Sequence, residues 1–323
     1  MFTLKKYLCV FLFLITCVGD KEADAQIFSL NTPLFDETPF FNTSIIKKNN
    51  IKLIVGKIAT KKPNDIIRTR GLDEQFYFDI NGNLVTQITT FFTPNNVKDS
   101  SAINYQYDAK NRLLTIRKSD NYGYYSNNFS YDEEGNVIAI TYCRDENKLN
   151  KKNEFILDKQ FVISSETYTY EKLTPYQLKK VVYNSNQKPY KQIMHYYDSL
   201  GYLVQTAEKY LLGNNKTTTI YHYDENGRLI EKSITIRQMG NTNSKKETYS
   251  YDEFGNILEI NMFENEQHKT ITQFLYDKNT YLLKAQLIKN VETELIKIIQ
   301  YDYTFYEKMD PISFDTDSVG TAD

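Results

Sequence analysis

The stretch Tyr249-Ser-Tyr-Asp-Glu-Phe-Gly-Asn-Ile-Leu258 decides the fold, because close variants of it recur along the chain in one register. Aligned on Asp252, the equivalent residues are Asp79, Asp108, Asp132, Asp198, Asp224 and Asp277. Neighbouring copies lie 24 to 29 residues apart, except for the 66-residue gap between Asp132 and Asp198. Within that gap Tyr168–Leu178 reads as a degenerate copy with extra turn residues, giving about eight repeats.

Each Asp follows an aromatic residue: Phe78, Tyr107, Tyr131, Tyr197, Tyr223, Tyr251 and Tyr276. Two positions before that stand Phe76, Tyr105, Phe129, His195, Tyr221, Tyr249 and Phe274, and residues two apart share one face of a strand. Three after the Asp come Gly82, Asn111, Gly135, Gly201, Gly227, Gly255 and Thr280, mostly types that tolerate positive φ. An Asp that accepts local N–H groups, two αR residues and then an αL residue spell a type I turn closed by a G1 bulge. That turn predicts Tyr107 opposite Leu113, Tyr223 opposite Leu229 and Tyr251 opposite Ile257. Position six is apolar as well, at Val85, Leu114, Ile138, Val204, Ile230, Leu258 and Leu283, and points to the other face. Curling or layering of the sheet is therefore expected to cover both columns.

At these residues the chain resembles the YD-repeat, or Rhs-type, family of bacterial exported proteins, whose repeat reads roughly Tyr-x-Tyr-Asp-x-x-Gly-Asn-Leu. The resemblance runs from about Phe76 to Leu283. Large members wrap many repeats into a shell around a C-terminal toxin and release it near an Asp-Pro-x-Gly motif. Here Asp310-Pro-Ile-Ser313 lacks the Gly and ten residues follow it, which leaves no room for a toxin, and about eight repeats are expected to fall short of a closed shell. The expected fold is all-β: an antiparallel meander of about sixteen to eighteen strands in repeated hairpins, forming one continuous, twisted and curled, solenoid-like sheet. A transmembrane barrel is disfavoured, because strands such as Leu229–Ile236 place Glu231 and Lys232 on opposite faces.

Outside the array, Met1–Lys6 is a basic n-region and Tyr7–Val18 an apolar core, a secretory signal expected to be cleaved between Ala25 and Gln26. The alternative is a lipid anchor at Cys17, and either route makes the protein extracytoplasmic. The reading divides the chain into a signal peptide (1–25), an irregular arm (26–50), the repeat sheet (51–306) and a disordered acidic tail (307–323). Ile51–Ile58 resembles the second half of a repeat whose first half is missing, and Ile296–Tyr306 a strand closing the last hairpin. The insertion Arg144–Asn153 reads as a solvated loop. Of three cysteines only Cys143 follows the signal, so no internal disulfide is expected. Lys and Arg number 39 against 41 Asp and Glu, a net −2 without a basic block, which argues against nucleic acid.

The repeated Asp residues do not space as calcium ligands; an EF-hand loop needs its Gly five residues after the first Asp and a bidentate Glu at its end. Turn capping is the reading of Asp79/Gly82, Asp132/Gly135, Asp198/Gly201, Asp224/Gly227 and Asp252/Gly255, with no metal or cofactor. His195, His222 and His268 have no Ser or Cys nucleophile placed beside them, so no enzyme is expected. The 27 tyrosines leave one binding candidate, Tyr122, Tyr124 and Tyr125, outside the repeat columns in an Asn/Gly-rich loop. The functional expectation is a non-catalytic exported module that binds or scaffolds at the cell envelope, through a glycan or an envelope protein. The second reading, which the family resemblance implies, is an accessory or remnant of an Rhs-type toxin-delivery system without its toxin.

Overall fold

The computed structural model describes residues 41–120, 123–149 and 154–307. In chain order the elements are α1 (Thr43–Lys48), β1 (Ile51–Lys61), β2 (Arg68–Phe78), β3 (Leu84–Phe92), β4 (Lys98–Tyr107), β5 (Leu113–Asp120), β6 (Gly123–Tyr131), β7 (Val137–Asn147), β8 (Leu157–Thr174), β9 (Gln177–Tyr183), β10 (Pro189–Tyr197), β11 (Leu203–Tyr210), β12 (Lys216–Tyr223), β13 (Leu229–Gln238), β14 (Asn241–Tyr251), β15 (Ile257–Glu264), β16 (Gln267–Tyr276), β17 (Leu283–Asn290) and β18 (Ile296–Phe305). Every strand pairs antiparallel with the next, and β18 also pairs with β1, so the 18-stranded sheet is a closed barrel. Both the open curled sheet and the expectation that so few repeats cannot close are thereby corrected. At about 4.8 Å per strand, eighteen strands give a girth of about 85 Å, enough for a ring lined by its own side chains. Closure removes the two unpaired edges that an open sheet would expose. The half repeat at β1 and the last strand β18 are the two ends that complete each other.

The hairpin turns explain why the repeat is legible. Tyr107 pairs with Leu113, Tyr223 with Leu229 and Tyr251 with Ile257, and each strand pair carries a register shift just before the turn. In the Asp252 turn, Oδ1 accepts N–H groups from Phe254 (2.9 Å) and Asn256 (2.8 Å), while Gly255 N–H reaches the Asp252 carbonyl. The Asp108 and Asp224 turns add a guanidinium, Arg112 Nε and Arg228 Nε each 2.7 Å from Oδ2. Asn111, at φ 59°, takes the left-handed place that Gly255, at 87°, fills elsewhere. Thr280 stays out of it: this turn is one residue longer, and Tyr281 carries φ 56° and donates its N–H to Asp277. Leu283 consequently pairs with Tyr276 and is buried, so it belongs to position five rather than six.

Position six alternates outward from position five, as expected, and the register shift leaves it unpaired. Leu114, Ile138, Ile230 and Leu258 lie exposed on the outer wall, against the expectation that both apolar columns are covered. The other column makes the core. Phe76, Tyr105, Phe129, Tyr168 and Phe274 converge inside the barrel with Leu84, Leu113, Val137, Ile257 and Leu283. The aromatic next to the Asp has a second task. Where one hairpin meets the next, main-chain pairing stops short of the turn rim, for example at Thr86/Asn104 and Glu231/Thr248. There the Tyr hydroxyl donates to the first carbonyl of the neighbouring strand: Tyr107 to Leu84 (2.9 Å), Tyr131 to Leu113 (2.6 Å), Tyr170 to Val137 (2.8 Å), Tyr223 to Leu203 (2.9 Å), Tyr251 to Leu229 (2.6 Å), Tyr276 to Ile257 (2.9 Å) and Tyr303 to Leu283 (2.6 Å). Phe78 stands where no hydroxyl is needed, because β1 and β2 pair up to Leu53/Tyr77.

Closure uses residues outside the repeat. Gly56 of β1 lies between Tyr301 of β18 and Glu74 of β2, and a Cβ there would sit 2.8 Å from the Tyr301 ring and 2.9 Å from Glu74 Cγ. Its missing side chain lets the Tyr301 hydroxyl cross β1 to Glu74 Oε1 at 3.0 Å. The arm, predicted irregular, contributes α1, capped by the Asn42 side chain, with Ile46 fully buried in the barrel core. Phe41 packs edge-on against Phe76 and Phe78 at 4.9 and 5.0 Å. A Cβ on Gly82 would meet the Thr43 carbonyl oxygen at 2.3 Å, so this turn of the rim lies directly against α1.

Candidate functional sites on the barrel wall

The turn carboxylates are already occupied. Backbone N–H groups and neighbouring side chains hold Asp108, Asp132 and Asp224 below the ordinary Asp range. For Asp108 the Arg112 N–H contributes most; for Asp132 it is the Asn136 side chain; for Asp224 these donors outweigh the opposing effect of burial. The histidines lie apart: His195 faces the interior on β10, His222 pairs with Glu231 on the outer side, and His268 stacks on Phe263 at 4.5 Å.

Tyr124 and Tyr125 lie on strand β6 rather than in a loop, and successive strand residues point to opposite faces. Tyr124 packs on Phe155 at 4.9 Å and accepts from Asn147 Nδ2. Tyr125 lies on the inner side, stacked with Tyr142 at 5.9 Å and 14° between planes. Tyr122, Ala25, Gln26 and Cys17 lie outside the described residues.

On the outer wall Arg144–Asn147, the first part of the segment expected to be a solvated loop, continues β7, and Asp145 there is a buried charge. Arg117 Nε donates to Asp145 Oδ2 at 2.6 Å, with side chains 4% and 0% exposed. Gln160 Nε2 donates to Asp145 Oδ1 at 2.9 Å, and the guanidinium lies 4.1 Å from the Phe155 ring centre. A buried pair satisfied on this many sides fixes the position of the strands that carry it. No sequence signal marks it, since Arg117 and Asp145 become neighbours only through the fold.

A polar cluster lines the inner wall where β8 to β11 meet. Glu166 accepts from the hydroxyls of Tyr168 (2.8 Å) and Tyr190. Lys191 Nζ lies 3.6 Å from Glu208. Lys180, paired with Tyr170 and Ile193, sits with Nζ 3.7 Å over the Tyr168 ring and with no carboxylate within 4.0 Å among the described residues. Burial lowers its pKa to about 8, and the Lys191 ammonium acts in the same direction. Burial likewise holds the His195 imidazole below its ordinary range, with Lys180 contributing. Above this cluster the β8–β9 hairpin runs past the rim, and a cavity opens between Tyr176, Leu178, Tyr197 and Leu200. Here Tyr197 N–H bonds directly to the Tyr176 carbonyl.

The sequence matches a family model described as Teneurin YD-shell over residues 48–305. Among solved structures, the chain is similar to a porin-like protein from Bacteroides uniformis at 9% identity and a TM-score of 0.37, covering 79% of this chain and 98% of that one. A porin-like protein from Bacteroides vulgatus shows 10% identity and a TM-score of 0.31, over 67% and 97% of the two chains. The Photorhabdus luminescens Tc holotoxin pore shows 12% identity and a TM-score of 0.28, over 78% of this chain and 16% of that one. No curated protein matches the sequence.

Proposed function

The chain belongs to the Teneurin YD-shell family, and from that premise we propose that it acts as an exported, non-catalytic barrel that binds a glycan at the cell envelope. The repeated residues are taken up by turn closure, rim hydrogen bonds and core packing, so binding falls to residues outside the columns. The observation that carries the reading is the Tyr125–Tyr142 stack. In this near-parallel stack Tyr142 is 37% exposed and Tyr125 backs it, which leaves aromatic surface of the kind that takes the face of a sugar ring. Outer-wall groups such as Lys57, Asp302, Glu259 and Gln273 interrupt any continuous lipid-facing band, which favours a barrel outside the bilayer.

The test is a glycan array run with the chain from Gln26 onward, beside Tyr125→Ala, Tyr142→Ala and Tyr124→Ala. Binding is expected to fall at least tenfold in the first two and to persist in the third. An array without any bound glycan, or binding that survives both inner changes, sinks the glycan reading. Family membership also supports the second reading, a remnant of an Rhs-type toxin-delivery system. A toxin or immunity gene beside this one would favour it, and polysaccharide-uptake genes would favour the glycan.

A further inference from the structure

We propose that Lys180 is an amine that condenses reversibly with small aldehydes entering the inner wall between β8 and β11. The proposal is independent of the Tyr125–Tyr142 glycan site. Its basis is the placing of one side chain. Most lysines of a folded protein lie in water or against a carboxylate, and either keeps them charged and unreactive. Lys180 lies half-buried on the inner face over the ring of Tyr168, and no carboxylate comes within ion-pair distance among the described residues. Glu166 is engaged by Tyr168 and Tyr190, and Glu208 by Lys191; both still raise the Lys180 pKa at longer range, against the larger lowering by burial and by Lys191.

A proton acceptor stands close by. His195 pairs with Leu178, two residues before Lys180 on the same face, which makes Lys180 and His195 diagonal neighbours about 7 Å apart. The imidazole is held neutral by burial, and its Nδ1 is buried with no hydrogen-bond partner among the described residues. In the reaction the Nζ lone pair attacks the aldehyde carbon, a C–N bond forms and the carbonyl π pair moves to oxygen. One Nζ proton passes through the imidazole to that oxygen, giving a carbinolamine. The nitrogen lone pair then expels the hydroxyl, which leaves as water with the remaining Nζ proton, and the product is a neutral imine. Amine plus aldehyde thus give imine plus water, and no oxidant or reductant is needed.

The depressed pKa supports this chemistry. A group near 8 is about one-fifth free base at pH 7.4, against less than about 0.1% for an ordinary lysine. Confinement and weaker basicity take back part of that advantage.

The experiment treats the folded chain from Gln26 onward with glycolaldehyde and cyanoborohydride, which reduces the imine to a stable amine, and follows each lysine by peptide mass mapping. Lys180 is expected to be alkylated at least tenfold faster than the median lysine at pH 7.4, with a rate that rises with pH through a midpoint near 8. His195→Gln is expected to slow alkylation of Lys180 severalfold without moving that midpoint. In Lys180→Arg, with an unchanged melting temperature, the fast phase is expected to disappear. Alkylation of Lys180 no faster than the median, a midpoint above about 10, or a fast phase that persists in Lys180→Arg would each overturn the proposal.

Discussion

The barrel has two kinds of seam, and they are made differently. Between hairpins, the same tyrosine hydroxyl bonds to the same carbonyl position at one junction after another. At the junction of β18, β1 and β2 the pairing runs through Gly56 and Glu74, which lie outside the repeat columns, and through Tyr301, whose hydroxyl crosses β1 only because Gly56 has no side chain. A repeat can therefore specify its own neighbours many times over and still leave ring closure to residues that occur once. Redundancy protects the first kind of seam from a single change; the second has none.

The largest effect should come from attacking all repeated seams together with alkali. Burial raises the pKa of Tyr107, Tyr223, Tyr251 and Tyr276, with Tyr251 pushed up to about 12. The folded state thus favours the protonated phenol. Its contribution is complete below the unfolded value near 10 and is lost as pH rises through the folded values. Tyrosinate absorbance and circular dichroism should change together between about pH 10 and 12. Ionisation completed near pH 10 with the fold intact would show that these hydroxyls carry no stability.

Next in size is Gly56→Val. It forces a branched side chain against Ile299, Tyr301 and Glu74, and denaturant titration should show a loss of about 3 kcal/mol. A change below about 1 kcal/mol would mean that the closing seam yields as easily as a surface position. The smallest effect sharpens the comparison most. Tyr251→Phe removes one hydroxyl from a partly buried carbonyl and should cost about 1 kcal/mol. Tyr197→Phe should cost less than about 0.5 kcal/mol, because that seam carries a main-chain bond from Tyr197 to Tyr176 in its place. Equal melting temperatures for the two variants would remove the hydroxyl from the account.

These contrasts also mark what the sequence disclosed. The spacing of Asp, Gly and aromatic residues specified the turn and the pairing of Tyr251 with Ile257, since turn geometry is local and each part lies within a few residues. The column at Leu114 and Ile230 faces outward as the alternation after the turn implied, but its exposure was not foreseen, because nothing local shows that the closed wall has no second layer over it. Closure was illegible for a different reason: Gly56 carries meaning only once Tyr301 and Glu74 stand on either side of it. The candidate sites fared likewise. Tyr125 was singled out by its place outside the columns, whereas its stacking partner Tyr142 and the cluster around Lys180 depend on strands brought together by register alone.

The pairing of Ile51 with Phe305 ties together residues from the two ends of the repeat domain. Hairpins can form as soon as their own residues are available, but the ring is shut only after its final strand arrives. Until then β1 and β17 present bare flanks, each able to recruit a strand from a neighbouring chain. A chain truncated before Ile296 would be held at that stage permanently. Its hairpins would be sound, and its hazard would be polymerisation rather than unfolding.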